Sequence, residues 1–263
     1  MPMRGDPESS VGLLDSPARI RPADAEDSTF LAKVILMASR GNLRLGFWDL
    51  VVAGSEVDRL DFIELLTLTE ARSFCHYSNF LVAEDDEGPA AALGGYDPGD
   101  EGLLAPGHAI AAAYDEFGSS DADLADAYRR LEPYQTALPE QRKGVWTIEW
   151  VWTAPRMRRR GLAAMLIERI LERGQQRGFR LAQITTLLQN EAAALVYEKA
   201  GFRVAEEKRH PDFERLMGTP GLVRYERDLG GGGPRAVIDK GRSPRAASMS
   251  SSPRGAWAQS TKC

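Results

Sequence analysis

The pattern of hydrophobic positions is most regular between residues 145 and 170. Apolar and β-branched residues alternate over the first part of this segment, which predicts a β-strand packed on both faces. One side of the alternation holds Trp146, Ile148, Trp150 and Trp152, and the other holds Val145, Thr147, Glu149 and Val151. Pro155 ends the strand because proline cannot donate to a β-ladder. After Gly161 the apolar spacing becomes helical, at Leu162, Met165, Leu166 and Ile170, which predicts an amphipathic helix.

Weaker patterns of the same two kinds predict the other elements. Further strands are predicted at residues 18–22, 80–83, 90–96, 181–187, 202–206 and 222–228. Further helices are predicted from residue 23 or 24 to Arg40, and at residues 45–52, 56–74, 105–117, 121–131 and 190–200. Pro133 and Pro139 are expected to close the segment after residue 131, and residues 207–221 are expected to form a loop.

Composition divides the chain into three parts. Residues 1–17, rich in Pro, Ser, Gly and acidic residues, are interpreted as a disordered lead, and residues 230–263 as a disordered, basic Gly/Pro/Ser-rich tail. Residues 18–229 are expected to form one folded domain. Its hydrophobic content is ordinary for a globular protein, since 43% of the whole chain is hydrophobic and 27% is charged. Large aromatic residues such as Phe47 and Trp48 are assigned to its core, with a groove-lining role as the alternative.

The same composition limits the setting of the protein. No stretch approaches about 18 consecutive apolar residues, and the first residues lack an apolar signal-peptide core, so a membrane span or secretion is not expected. Cys75 and Cys263 provide no disulfide framework, which favours a reducing, cytoplasmic compartment. The three histidines, His76, His108 and His210, lack the spacing of metal ligands, and no metal is expected.

Charge is unevenly distributed along the chain. Residues 230–263 hold six Lys or Arg and one Asp, so the tail carries about +5 and the remainder about −10 of the net −5. An acidic insertion at about 97–143 holds ten acidic and four basic residues. Such a body argues against nucleic-acid binding and favours a cationic ligand, while solubility alone is the alternative.

One loop has features that suit phosphate binding. The sequence Arg158-Arg159-Arg160-Gly161-Leu162-Ala163 lies between the predicted strand and helix. The first amides of a helix lack intrahelical partners and carry the positive end of its dipole, and glycine allows a ligand to approach closely. An ordinary crossover with a solvated arginine run is the alternative.

These six residues resemble the Q/R-x-x-G-x-G/A pyrophosphate-binding motif of the GNAT (GCN5-related N-acetyltransferase) superfamily. Pro155 lies where that family often has a proline after its fourth strand. The segment from Asn190 through Tyr197-Glu198-Lys199-Ala200-Gly201-Phe202 is similar to the family's N…A…Y-E-K-x-G-F segment. The close match covers about residues 144 to 228, and Ile20-Arg21-Pro22-Ala23-Asp24 is similar to the start of many GNAT domains.

The resemblance implies an α/β fold with a mixed, mostly antiparallel sheet of six or seven strands and helices on both faces. It also implies direct transfer of an acetyl group from acetyl-CoA to a primary amine in a ternary complex. A small cationic molecule or a protein amine would be the acceptor, and a homodimer is left open. Two alternatives stand beside the enzyme: a non-catalytic acyl-CoA-binding domain, and an RNA-associated module that uses the arginine run and the basic tail.

The resemblance further implies roles for individual residues. Tyr197 would protonate the departing thiolate, with simple helix packing as its alternative. Glu149 would accept the proton of the amine through water, with a structural carboxylate as its alternative. A backbone amide of Val151 or Trp152 would stabilise the oxyanion. The co-substrate would be held by Val151, Trp152, Thr153, Arg158, Arg159, Arg160, Gly161, Leu162, Ala163 and Asn190, although Asn190 is equally suited to capping its helix.

Overall fold

Seven strands form a single sheet in the part of the chain that the computed structural model describes, which is residues 18–70, 72–100, 103–140 and 142–230. The strands are β1 (Arg19–Pro22), β2 (Phe80–Asp85), β3 (Gly88–Tyr96), β4 (Trp146–Thr153), β5 (Leu181–Leu187), β6 (Arg203–Arg209) and β7 (Gly221–Asp228). Their spatial order is β1-β2-β3-β4-β5-β7-β6, and every neighbouring pair is antiparallel except β4 and β5. The predicted mixed, mostly antiparallel sheet is confirmed.

Helices cover both faces of this sheet, as expected. They are α1 (Ser28–Arg40), α2 (Phe47–Val51), α3 (Glu56–Leu68), α4 (Pro106–Glu116), α5 (Asp121–Thr136), α6 (Leu162–Gln176), α7 (Glu191–Lys199) and α8 (Pro211–Met217). One core lies between the sheet and α1 to α5 with α8, on what we call the α1 face. The second core lies under α6 and α7, on the α6 face. The expected disordered lead (1–17) and all but the first residue of the expected tail (230–263) lie outside the described residues.

Helix α3 is shorter than predicted. It ends at Leu68 rather than near Phe74. The hydroxyls of Thr67 and Thr69 bond to carbonyls of the preceding turn, at 2.7 and 3.4 Å, and such bonds compete with continuation of the helix. Because the chain leaves the helix here, Phe74 reaches the α1-face core, where its ring lies 6.0 Å from that of Trp150.

Helix α5, the second helix of the acidic insertion, is longer than predicted. It runs through Pro133 to Thr136, although proline removes one helical hydrogen bond. Tyr134 lies between the rings of Phe47 and Phe213, at 5.5 and 5.2 Å, and this packing holds the last turn in place. The end of the insertion is therefore fixed over the α1 face.

Helix α8 replaces part of the loop predicted at residues 207–221. His210 caps it by accepting from the amide of Asp212 at 3.2 Å, and Pro211 occupies its first position. The buried side chains of Phe213 and Met217 are one helical turn apart. The sequence therefore contained a start signal and an apolar repeat, but the helix is too short for them to stand out.

Strand β4 contains a β-bulge that the sequence pattern did not indicate. Glu149 lies opposite Gly94 and Trp152 opposite Ala92, so Trp150 and its successor together face one residue of β3. Trp150 has a φ of 59°, which is uncommon for a bulky residue. The extra residue puts the side chains that follow out of step with those that precede it.

The prediction that Trp146, Ile148, Trp150 and Trp152 share one side of β4 is therefore wrong. Trp146 and Ile148 pack on the α6 face, whereas Trp150 and Trp152 pack on the α1 face. Glu149 faces α1, opposite its neighbour Ile148. The bulge thus brings the carboxylate and two of the tryptophans to the same side of the sheet.

The pairing of β4 with β5 is short. It consists of three residue pairs and ends where Ile148 lies beside Ile184. Beyond this point β4 continues to pair with β3, and β5 continues to pair with β7. A gap between β4 and β5 therefore opens in the middle of the sheet, and it starts directly after Ile148.

We expect Gly174→Ala to destabilise the protein, although this change normally stabilises a helix by about 0.5–1 kcal/mol. Gly174 lies inside α6 against Trp146, and an added Cβ would lie 2.7 Å from the Trp146 Cγ atom. Overpacking of this kind costs about 1–3 kcal/mol. Urea unfolding measures the effect, and the penalty should disappear when Gly174→Ala is made in a Trp146→Leu background. An equal penalty in both backgrounds would contradict this explanation.

Candidate active site

The loop between β4 and α6 presents backbone amides to an open space. A short 3₁₀ turn at Pro155–Met157 anchors it, with the Met157 side chain buried in the α6-face core. Arg159 and Gly161 both have left-handed backbones, with φ of 66° and 80°. A Cβ added at Gly161 would meet nothing within 4 Å, so the space above this residue is free.

The first turn of α6 begins at this glycine. Gly161 is the N-cap and provides no side-chain acceptor, so the amides of Leu162 and Ala163 are left for another partner. The side chains of Arg158 and Arg159 are exposed beside them. The positive end of the helix dipole, the free amides and the arginine side chains therefore lie together, and an anionic group can bind here.

Arg156 belongs to a different interaction. Its guanidinium binds both carboxylate oxygens of Asp85, at 2.5 and 3.1 Å, and lies 3.4 Å from Glu87. The hydrogen bond from Arg156 lowers the pKa of Asp85. This arginine therefore ties the loop to the β2–β3 turn.

The edge of β4 offers further amides at the gap. The amide of Ala154 donates to a β3 carbonyl at 2.8 Å. Trp152 is opposite Ala92 in the same ladder, so antiparallel alternation directs its amide to β3 as well. The amides of Val151 and Thr153 consequently point away from β3, toward the gap. Of the two backbone amides predicted to stabilise the oxyanion, that of Val151 points toward the gap and that of Trp152 points toward β3.

Tyr197 is buried in the α6-face core. Its ring packs against those of Tyr225 and Phe202, with centroids 5.9 and 6.3 Å away. Tyr225 is paired with Ile184, which is in turn paired with Ile148, the last residue of β4 that pairs with β5. Burial and the neighbouring Tyr225 raise the pKa of the Tyr197 hydroxyl, which keeps it protonated at neutral pH.

Glu149 lies on the opposite face at the same point. Its Oε2 atom is shielded from solvent and has no hydrogen-bond partner among the described residues. Burial raises the pKa of Glu149 to about 7, and a hydrogen bond from Tyr96 acts in the opposite direction. The charge of Glu149 adds to burial in raising the pKa of the Cys75 thiol and that of the Tyr134 hydroxyl, so all three groups are close neighbours.

Both polar atoms of the Asn190 side chain form hydrogen bonds within the protein. Its Oδ1 atom accepts from the amide of Ala193 at 3.3 Å, which caps α7, and its Nδ2 atom donates to Thr186 Oγ1 at 3.2 Å. Thr186 belongs to the part of β5 beyond the ladder with β4. Asn190 therefore sits on the β5 side of the gap.

Several residues beside Glu149 and Trp150 were not identified from the sequence. Tyr96 and Tyr134 are separated from it by long stretches of chain, and Phe74 was assigned to a helix. The only signal was the richness of aromatic residues before β2, which was interpreted mainly as core. Their proximity to the carboxylate depends on the bulge and on the late end of α5, and neither follows from local patterns.

Comparison with known proteins agrees with this geometry. The model of the acetyltransferase (GNAT) family matches residues 55–202, which is more than half of the chain. The chain belongs to the GNAT acetyltransferase family. Membership supports acetyl transfer in general, with acetyl-CoA as the co-substrate, and confirms the family inferred from the motifs. No curated protein matches the sequence at a significant level.

Solved structures share the GNAT fold at low sequence identity. A crystal structure described as an acetyltransferase has a TM-score of 0.58 and 17% identity, covering 81% of this chain and all of its own. An N-acetyltransferase from Staphylococcus aureus Mu50 has a TM-score of 0.55 and 19% identity, covering 80% of this chain and all of its own. These likenesses establish the fold.

None of the described helices has the length and apolar character needed to cross a membrane. Over the same residues, no three His, Cys, Asp or Glu side chains are grouped so that they could hold a metal ion.

We expect Glu149→Gln to stabilise this GNAT protein above neutral pH. The folded pKa is about 7 and the ordinary value is 4.5. Between these values the unfolded chain loses the proton while the folded chain keeps it, so the free energy of unfolding of the wild type falls as pH rises. The variant lacks this loss and should gain about 1–3 kcal/mol at pH 8, and little at pH 4.5. Urea unfolding at several pH values measures the difference, and a constant difference would refute the burial argument.

Proposed function

We propose that this protein transfers the acetyl group of acetyl-CoA to a primary amine by direct attack in a ternary complex. One observation supports the proposal. Glu149 follows Ile148 on the α1 face, and Tyr197 packs on the α6 face against Tyr225, whose strand partner Ile184 is paired with Ile148. A thioester lying in the gap would have a proton acceptor on one side and a proton donor on the other.

The free backbone groups suit the shape of acetyl-CoA. Its pyrophosphate would lie on the amides of Gly161 to Ala163, with Arg158, Arg159 and Arg160 adding charge. Its pantetheine arm contains two amides and would run along the gap, past Val151 and Thr153. Asn190 and the end of β5 would border the other side of the arm. Trp152 would contact the arm with its side chain or neighbouring backbone, because its own amide is directed to β3.

The reaction needs three events. The ammonium group of the bound amine loses one proton to Glu149, directly or through water, and the resulting neutral nitrogen attacks the thioester carbonyl. The amide of Val151 stabilises the oxyanion that forms. The carbon–sulfur bond then breaks while the nitrogen releases its second proton to water, and the thiolate receives a proton from Tyr197. Solvent later returns the proton to Tyr197 and removes that of Glu149. A carboxyl group with a pKa of about 7 is well matched to the first event at neutral pH.

Binding of acetyl-CoA to the full chain tests the first part of the proposal. Gly161→Trp should weaken binding by about 100-fold or more, because the indole would fill the space above the helix amides. Gly178→Trp is a matched control, since Gly178 lies just past the other end of α6, with a φ of 88° and no atom within 4 Å of an added Cβ. Both variants carry the same backbone strain, but only the first should lose binding in isothermal titration. Equal affinities would contradict the pyrophosphate assignment.

Tyr197→Phe tests the proton donor. It keeps the ring contacts but removes the hydroxyl, so turnover should fall by about 100-fold, while the KM for acetyl-CoA changes little. Tyr225→Phe removes the hydroxyl of the neighbouring ring and should leave turnover unchanged. Stopped assays with a primary amine measure both. Full activity in Tyr197→Phe would assign this tyrosine to packing alone, and tight acetyl-CoA binding without turnover on any amine would favour the non-catalytic alternative.

A further inference from the structure

Four buried polar atoms without partners in the described residues belong to strand β4 or to side chains that contact it on the α1 face. They are Glu149 Oε2, Trp150 Nε1, Trp48 Nε1 and Gln183 Oε1. Gln183 donates through Nε2 to Thr147 Oγ1 at 2.9 Å, and Thr147 lies on β4 two residues before Glu149. Buried polar groups normally have partners, so such a group indicates a place for water or a ligand.

Aromatic rings form a continuous wall beside these atoms. The ring of Trp150 lies 6.0 Å from those of Trp48 and Phe74. The wall continues from Trp48 to Phe47 at 5.1 Å, and from Phe47 to Tyr134 at 5.5 Å. Trp48 is fully buried, whereas Trp150 and Tyr134 are partly exposed. The wall therefore begins at the carboxylate and ends at the last turn of the insertion.

Other shielded carboxylates on this face are paired with arginines: Asp49 with Arg40 and Arg59, and Glu226 with Arg142 and Arg224. Glu149 Oε2 is the only carboxylate oxygen among the buried atoms that lack a partner in the described residues. The acidic side chains of α4 and α5 are largely exposed to solvent, as at Asp115, Glu116, Asp121 and Asp123. The insertion contributes an aromatic ring, that of Tyr134, next to Glu149, and its acids remain outside.

We propose that the acceptor is a primary amine with one positive charge and an apolar, preferably aromatic, body. Its ammonium group would bind at Glu149, and its body would lie against Trp150 and Tyr134. This inference rests on the proposed function, because it assigns the substrate class of the same site. Aromatic faces attract a cation as well as apolar groups, and one carboxylate compensates one charge.

Amines with several charges fit this site less well. A diamine or polyamine would place a second ammonium group among aromatic side chains, where the described residues offer no second unpaired carboxylate oxygen. An unpaired charge of this kind is costly to desolvate. The acids of the insertion would meet such a substrate only at the solvent surface, where charge–charge attraction is weak.

A panel of amines tests the substrate class. The panel contains 2-phenylethylamine, n-butylamine, putrescine and a lysine-containing peptide, assayed with acetyl-CoA and the full chain. We expect kcat/KM for 2-phenylethylamine to exceed that for putrescine and for the peptide by about tenfold or more. A tenfold preference for putrescine or the peptide would overturn the inference.

Two matched variants test the role of Tyr134. Tyr134→Leu should lower kcat/KM for 2-phenylethylamine by about tenfold, and that for n-butylamine by less than about threefold. Tyr128→Leu changes the same residue type in the same helix, where the hydroxyl bonds to Gly107 of α4, and it should leave the preference intact. An equal fall for every amine in Tyr134→Leu would indicate a structural role and overturn the specificity assignment.

Equilibrium binding separates this inference from the proposed function. Trp48 and Trp150 lie in the wall, so 2-phenylethylamine should change tryptophan fluorescence in the CoA-bound protein, and Tyr134→Leu should weaken that binding by about tenfold. If this binding occurs and no amine is acetylated, the catalytic proposal fails while the amine site stands. If acetyl-CoA binds but 2-phenylethylamine does not, the amine site fails.

Discussion

Beyond Ile148 the backbone of β4 forms hydrogen bonds with β3 but no longer with β5. The organisation of the site follows from this constraint. The bulge at Trp150 lets β4 remain paired with β3 while its other edge separates from β5. Free amides on an internal edge of a sheet are unusual, because buried backbone groups are normally paired. Here they line a gap that an extended, amide-containing molecule can enter and complete, as an added strand would.

The sheet also keeps two ionisable groups apart. Glu149 lies on the α1 face and Tyr197 on the α6 face, and both are shielded from solvent by the helices on their own side. If they faced one another, a proton could pass between them without any reaction. Their separation by one layer of backbone prevents direct proton transfer between them. The aromatic wall likewise lies on the α1 face, whereas the loop between β4 and α6 packs on the α6 face through Met157.

Much of this arrangement could be predicted from the sequence. The strands, the helix after Gly161 and the two motifs around it depend on local spacing, and local spacing is what a sequence displays. The bulge in β4 was missed because it depends on pairing with β3, and it overturned the assignment of Trp150 and Trp152. Tyr134 was missed because its position needs a helix to continue through Pro133, which only packing against Phe47 and Phe213 explains. Contacts between residues that are far apart in the chain produce no periodic pattern in the sequence, so they could not be predicted from it.

The short ladder between β4 and β5 has a mechanical consequence. Among the described residues, three residue pairs are the only backbone pairing between the half-sheet of β1 to β4 and that of β5 to β7. Regions held by few backbone hydrogen bonds open more readily than the rest of a structure. The boundary between the two half-sheets is therefore the place where the sheet separates most readily. A molecule that forms hydrogen bonds to both β4 and β5 would oppose this separation and make the sheet more rigid.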